Sequence, residues 1–129
     1  REVEKLHVNI LEDLYRLLLE KNEKEKLSVE QSTVNAKIID LLEKTDKDKY
    51  NFYEVKTSNS GLTNIREAIG QILEYALIDD EINANKLIIV GPADLKKIEK
   101  NYLNRLQNYI RIKIEYWYYN LEDKTFEKR

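Results

Sequence analysis

Two runs decide how this chain reads: Ile38-Ile39-Asp40-Leu41-Leu42 and, beyond a polar turn, Tyr50-Asn51-Phe52-Tyr53-Glu54-Val55-Lys56. The first, taken from Lys37 to Leu42, is apolar but for Asp40. The second is rich in aromatic and β-branched residues, so both read as strands. The connection Lys44–Lys49 is short and favours antiparallel pairing. A carboxylate among residues that demand burial needs a compensating partner. Asp40 is either paired with Lys37 or Arg66, or it belongs to a site. Strand alternation puts Glu54 and Lys56 on one face, and pairing of the two strands would bring Asp40 and Glu54 together. Two carboxylates and a backbone carbonyl such as that of Val55 suit Mg²⁺ or Mn²⁺, a hard cation that keeps several waters. With Lys56 beside it, such an ion fits phosphodiester hydrolysis.

Working outward, Leu6, Ile10, Leu14, Leu17 and Leu18 mark an N-terminal amphipathic helix, closed by the charged run Glu20–Lys26. Leu27 and Val29 open a further strand that ends at a polar turn near Ser32–Asn35. After Lys56, Thr63 is the expected cap of a helix with Ile65, Ala68, Ile69, Ile72, Leu73 and Ala76 inward. Leu87–Val90 is a buried strand stopped by Gly91-Pro92. A helix from about Asp94 to Asn108 turns Leu95, Ile98, Leu103 and Leu106 inward. A last strand alternates Ile110, Ile112, Ile114, Tyr116 and Tyr118. The order α-β-β-β-α-β-α-β specifies an α/β fold: a mixed sheet with helices on its faces.

The acidic-x-Lys triplet alone carries little information in so charged a chain. More specific is Gln71 with Tyr75, i and i+4 on the same side of the helix after the triplet. With three glutamines and nine tyrosines, such a pair is expected only about 0.2 times by chance.

With Ile39-Asp40, Glu54-Val55-Lys56 and Gln71-Ile72-Leu73-Glu74-Tyr75 in order, the chain resembles the PD-(D/E)XK nuclease superfamily, in its RecB-like branch. The stretch Ile65–Ala76 also looks like a helix of bacterial restriction-endonuclease-like domains. Ile39 stands where the name-giving proline would be. The resemblance covers about Leu6 to Val90 and implies the α-β-β-β-α-β restriction-endonuclease-like core, with the later helix and strand as additions. It further implies a Mg²⁺-dependent (or Mn²⁺-dependent) deoxyribonuclease. Asp40, Glu54 and the Val55 carbonyl would be metal ligands, Lys56 the catalytic lysine, and Gln71 and Tyr75 supports for site and DNA. RecB-like members place a metal-binding histidine on the first helix, where His7, the only histidine, falls; packing of His7 is the alternative. An inactive module that docks nucleic acid or a partner domain is the rival reading.

Two softer features concern DNA. Ser58-Asn59-Ser60-Gly61 leads into a helix N-terminus, where free amides favour phosphate, with Arg66 in the first turn; a plain capping loop is the alternative. The cluster Tyr116–Tyr119 either stacks on bases or packs the sheet edge. Lys96, Lys97, Lys100, Arg105, Arg111 and Lys113 make the C-terminal half locally basic, for solvation or for a phosphate backbone.

The 129 residues form one domain by size. A net charge of -2 excludes nucleic-acid binding by bulk positive charge. The absence of cysteine excludes disulfides, thiolate metal sites and cysteine nucleophiles. No run is long enough for a membrane span and Arg1–Leu6 is no secretory signal, so a cytoplasmic location is expected. With no methionine at all, the chain reads as a catalytic domain excised from a longer protein, with other domains and a homodimeric partner as possible companions.

Overall fold

The structure, a computed structural model, describes residues 1–32 and 38–129. Helix α1 (Glu2–Leu19) is followed by a 3₁₀ turn (Lys24–Lys26) and strands β1 (Leu27–Ser32), β2 (Ile38–Asp46) and β3 (Lys49–Val55). Then come α2 (Gly61–Leu77), β4 (Asn83–Gly91), α3 (Lys97–Tyr109), β5 (Lys113–Asn120) and β6 (Thr125–Lys128). Most of the turn expected near Ser32–Asn35, and Lys37, lie outside the described residues.

The six strands form one sheet in sequence order, β1 to β6. β1, β2 and β3 make an antiparallel meander, β3, β4 and β5 run parallel, and β6 returns antiparallel. The fold is thus α/β with a mixed sheet. The crossovers through α2 and α3 step in the same direction along the sheet, and a shared hand puts both helices on one face. There Ile65, Ala68, Ile72 and Leu103 pack on Phe52, Leu87, Ile89 and Ile114. α1 covers the other face, laying Ile10, Leu11, Leu14 and Leu18 on Leu41, Tyr53, Val55, Ile88 and Val90. Each apolar stripe read from the sequence has a sheet face to bury it, which supplies most of a helix's stability in a protein.

Three expectations need correction. The cap of α2 is Ser60, whose hydroxyl accepts the Thr63 amide at 3.2 Å; Thr63 itself lies inside the helix. Ile98, expected inward, is 76% exposed, because α3 begins only at Lys97 and its buried side is set by Glu99 and Leu103. Strand β6 was not foreseen, being four residues of mixed character whose Phe126 packs against Tyr119 and Trp117. The aromatic cluster divides by strand alternation: Tyr116 and Tyr119 are buried, one on each side, while Trp117 and Tyr118 are half-buried. It packs the sheet and presents no continuous stacking surface.

The loop from Lys56 to α2 is fixed by a buried polar knot. The Asn64 side chain accepts the Ser58 amide and donates to the Ser58 carbonyl and the Tyr116 hydroxyl, which donates to the Ala93 carbonyl. Gly91 makes room for it. A β-carbon there would stand 2.6 Å from Asn64 Nδ2 and 2.9 Å from the Tyr116 oxygen. Gly91→Ala is therefore expected to lower unfolding stability by about 2 kcal/mol in urea titrations, since this crowding falls on a packed and hydrogen-bonded knot.

Candidate functional site

The site lies where β2 and β3 part. Their ladder runs from Asp46 opposite Lys49 to Leu41 opposite Tyr53. Beyond that point the alternation of faces slips. Ile39 and Leu42 both pack toward α2, whereas Leu41, two residues from Ile39, packs toward α1. Asp40 occupies the slip. Its Oδ2 accepts the Val55 amide at 2.7 Å, so a side chain takes an amide that a regular ladder would give to a main-chain carbonyl. On its other flank, Glu30 falls opposite Asp40 by register and holds a φ of 52°, a left-handed conformation uncommon for a residue with a β-carbon. Such irregularities are concentrated at functional sites.

Three further elements converge here. From α1, His7 Nε2 lies 3.3 Å from Asp40 Oδ2. At the end of β3, Glu54 is buried and its Oε2 lies 3.5 Å from Lys56 Nζ. From α2, Gln71 Oε1 accepts from Lys56 Nζ at 2.5 Å. One turn further along α2, the Tyr75 hydroxyl has its pKa raised by burial and then by the charges of Glu54 and Asp40. The structure thus brings together Asp40, Glu54, Val55, Lys56, His7, Gln71 and Tyr75. Arg66 is not among them: it is exposed on α2, and among the described residues no ion pair ties it to Asp40. His7, Glu54, Val55, Lys56, Thr57 and Glu67 line an open cleft of about 500 Å³.

The Ser58–Gly61 loop is a capping loop. The amides of Ser58, Ser60, Leu62 and Thr63 go to Asn64, Ser58, Glu99 and Ser60 side chains respectively, so they offer no free cradle for phosphate.

Five acidic side chains are buried, and their partners set them apart. Glu43, which the sequence did not single out, is matched by neutral donors: Asn51 at 2.8 Å, Tyr53 at 2.6 Å and Asn22 at 2.8 Å. Glu99 accepts the Leu62 and Lys96 amides. Glu115 has Lys86, Lys128 and Trp117. Asp40 has Val55 and His7. Glu54 differs: its Oε1 is the one fully buried side-chain nitrogen or oxygen among the described residues without a hydrogen-bond partner. An orphaned carboxylate oxygen is costly to bury, and it marks a place that a bound cation would satisfy. Among the described residues no group of three or more His, Asp or Glu is gathered into a ready-made cage. One or two carboxylates with waters is nevertheless the usual provision for Mg²⁺.

Sequence reasoning missed Glu30 and Glu67, whose approach depends on the register of β1 and the placement of α2; neither carries a local motif. Comparison of the chain with protein-family models, with curated proteins and with solved structures finds no match. Among the described residues, no helix is long and apolar enough to cross a membrane.

Burial, followed by the charge of Asp40, pushes the Glu54 carboxyl up to about 8, against the pull of Lys56 and His7. The hydrogen bond to Asp40 raises His7, with Asp40, Glu54 and Glu30 adding their charges against the effect of burial. Both shifts make the folded chain hold protons that the unfolded chain releases. Stability therefore falls as pH rises from the ordinary carboxyl value of 4.5 toward 8 for Glu54. For His7 it is lost as pH rises through the raised folded value. The thermal midpoint of the metal-free protein is expected to drop across this interval. Glu54→Gln should flatten the drop and exceed the parent's stability at pH 8 by on the order of 2 kcal/mol. Parallel pH profiles of the two proteins would contradict this assignment.

Proposed function

We propose that this domain hydrolyses DNA phosphodiester bonds on a restriction-endonuclease-like core, with Mg²⁺ or Mn²⁺ held by Asp40, Glu54 and the Val55 carbonyl. The observation that carries the reading is the partnerless Glu54 Oε1, buried beside Asp40 at the break between β2 and β3. Asp40, Glu54 and the Val55 carbonyl would hold the cation, which would supply the missing partner and polarise the phosphodiester.

The protein's own groups do the rest. Lys56 is held from two sides, by Gln71 and by Glu54. Held so, its ammonium orients the attacking water and places positive charge where the phosphate oxygens become more negative. Gln71 acts as a brace: without it the ammonium can turn fully onto Glu54. His7, donating Nε2–H to Asp40, fixes that carboxylate together with the Val55 amide. Tyr75, kept protonated by burial and by the neighbouring carboxylates, is a hydroxyl donor on the α2 side.

The second reading is an inactive module that retains the carboxylates and docks DNA or a partner domain; it needs no three-residue cage, and none is gathered among the described residues. The two readings separate in one experiment. A supercoiled plasmid and a linear duplex are incubated with the protein in Mn²⁺, in Mg²⁺ and in EDTA, and the thermal midpoint is followed in parallel. The nuclease reading expects metal-dependent cleavage that falls by roughly 10²–10⁴-fold in Asp40→Ala, Glu54→Ala and Lys56→Ala. Gln71→Ala is expected to lose about tenfold. Mn²⁺ should raise the midpoint of the parent but not of Asp40→Ala. Full cleavage by all three variants, or no cleavage and no Asp40-dependent metal stabilisation, would sink it.

A further inference from the structure

We infer that the outer face of α3 is a docking track for the backbone of the DNA that occupies the cleft, a surface distinct from the hydrolytic residues. The inference rests on the nuclease reading for its ligand, and on α3 for its evidence. From Leu95 to Ile114 the chain carries six bases and a single acid, Glu99, although the whole protein has a net charge of -2. That acid is turned inward, where it accepts the amides of Leu62 and Lys96 and ties together the first turns of α2 and α3. α3 itself therefore turns no carboxylate to solvent; the nearest, Asp94 just before the helix, feels the charge of Lys100 but is held by Arg129 at 2.7 Å.

What it does present is specific in kind. Lys97, Lys100 and Arg105 are exposed, and among the described residues neither Lys97 nor Arg105 has an ion-pair or hydrogen-bond partner. Elsewhere on the surface cations alternate with acids, as at Lys44–Lys49, where Asp46 and Asp48 intervene. Asn101, Asn104 and Asn108 recur at helical spacing on the same side, each able to donate to a phosphate or accept from a sugar. Tyr102 and Tyr109 are exposed, Tyr109 by 81%, and offer flat rings at the edge of this side. Cations, amides and tyrosines on a helix with no outward acid of its own form the chemistry of a surface that meets nucleic acid; a helix that only meets water carries mixed signs.

Position connects the track to the cleft. The Lys56 amide donates to the Val90 carbonyl at 2.8 Å, and the chain runs from there through Gly91–Leu95 into α3. α3 thus starts from the same end of the sheet, the C-terminal end of β3 and β4, where Glu54 and Lys56 lie. Its 13 residues extend about 20 Å, the reach of roughly six phosphates along one strand.

The test is equilibrium binding of a fluorescein-labelled 20-base-pair duplex, followed by anisotropy in EDTA at several salt concentrations, so that no cleavage intervenes. The variants are Lys97→Glu/Lys100→Glu/Arg105→Glu and Tyr102→Ala/Tyr109→Ala. The control is Lys47→Glu/Lys49→Glu, at the opposite end of β3. All changed residues are exposed, and unaltered thermal midpoints verify folding. The triple variant is expected to bind at least about tenfold more weakly and to lower the slope of log K against log salt by roughly 2 to 3. The tyrosine pair should weaken binding several-fold with little change in slope, and the control should stay within about twofold of the parent. Equal binding by parent and α3 variants, an equal loss in the control, or no binding by the parent overturns the inference. Its fate is separable from that of the nuclease reading. α3-dependent binding without metal-dependent cleavage upholds the track and removes the nuclease. Cleavage at sub-saturating DNA that ignores the α3 variants does the reverse.

Discussion

One hydrogen bond organises the site: the Val55 amide donating to the Asp40 carboxylate across the gap between β2 and β3. In a regular sheet that amide would meet a main-chain carbonyl and Asp40 would point to one face. Taking the carbonyl's place, the carboxylate closes the hydrogen-bond account of β3 while the strands separate. The separation gives Glu54 its depth, opens the cleft, and lets His7 reach Asp40 from the opposite side of the sheet. Charge neutralisation is left incomplete. Asp40 receives an amide and a histidine, and Glu54 shares one lysine with Gln71. Protonation of Glu54 relieves the buried negative charge, and any cation bound there would compete with that proton for the same carboxylate.

The other buried carboxylates give that conclusion its contrast. Glu43 sits in the same strand as Asp40 and is as deeply buried, yet Asn22, Asn51 and Tyr53 satisfy it, and Glu115 lies between two lysines. The fold is therefore able to complete a buried acid when the acid is structural. It does not do so at Glu54.

Much of this could be read from residue order. The stripe Ile10–Leu14–Leu18, the meander around Asp40 and Glu54, and the pair Gln71–Tyr75 are local patterns with a fixed geometric meaning, and each appears where its periodicity puts it. What could not be read depended on contacts far apart in the chain. Glu43 carries no local signal because its donors, Asn22, Asn51 and Tyr53, come from other places in the sequence. Ser58–Gly61 reads equally as a phosphate loop or a capping loop, because nothing nearby announces that Asn64 takes the Ser58 amide and Glu99 the amide of Leu62 behind it. Ile98 looked inward because the helix was begun too early, and a shift of a few residues at a helix start changes which residues face the sheet. Arg66 was drawn toward the site by its closeness in sequence, whereas its side of α2 faces water.

The bonding of α1 also bears on when the site comes into being. His7 precedes every strand of the sheet, but its helix rests on Ile88 and Val90 of β4 and, through Asp13, on the hydroxyl of Tyr119 in β5, 106 residues away. The platform for α1 is complete only after the chain up to β5 has been synthesised. Contacts of such sequence separation form late, because the loop they close is long. Emerging from the ribosome, the meander with Asp40 and Glu54 precedes both α2, with Gln71, and the final seat of His7. The acidic pair therefore exists for a time as a half-built site without its brace.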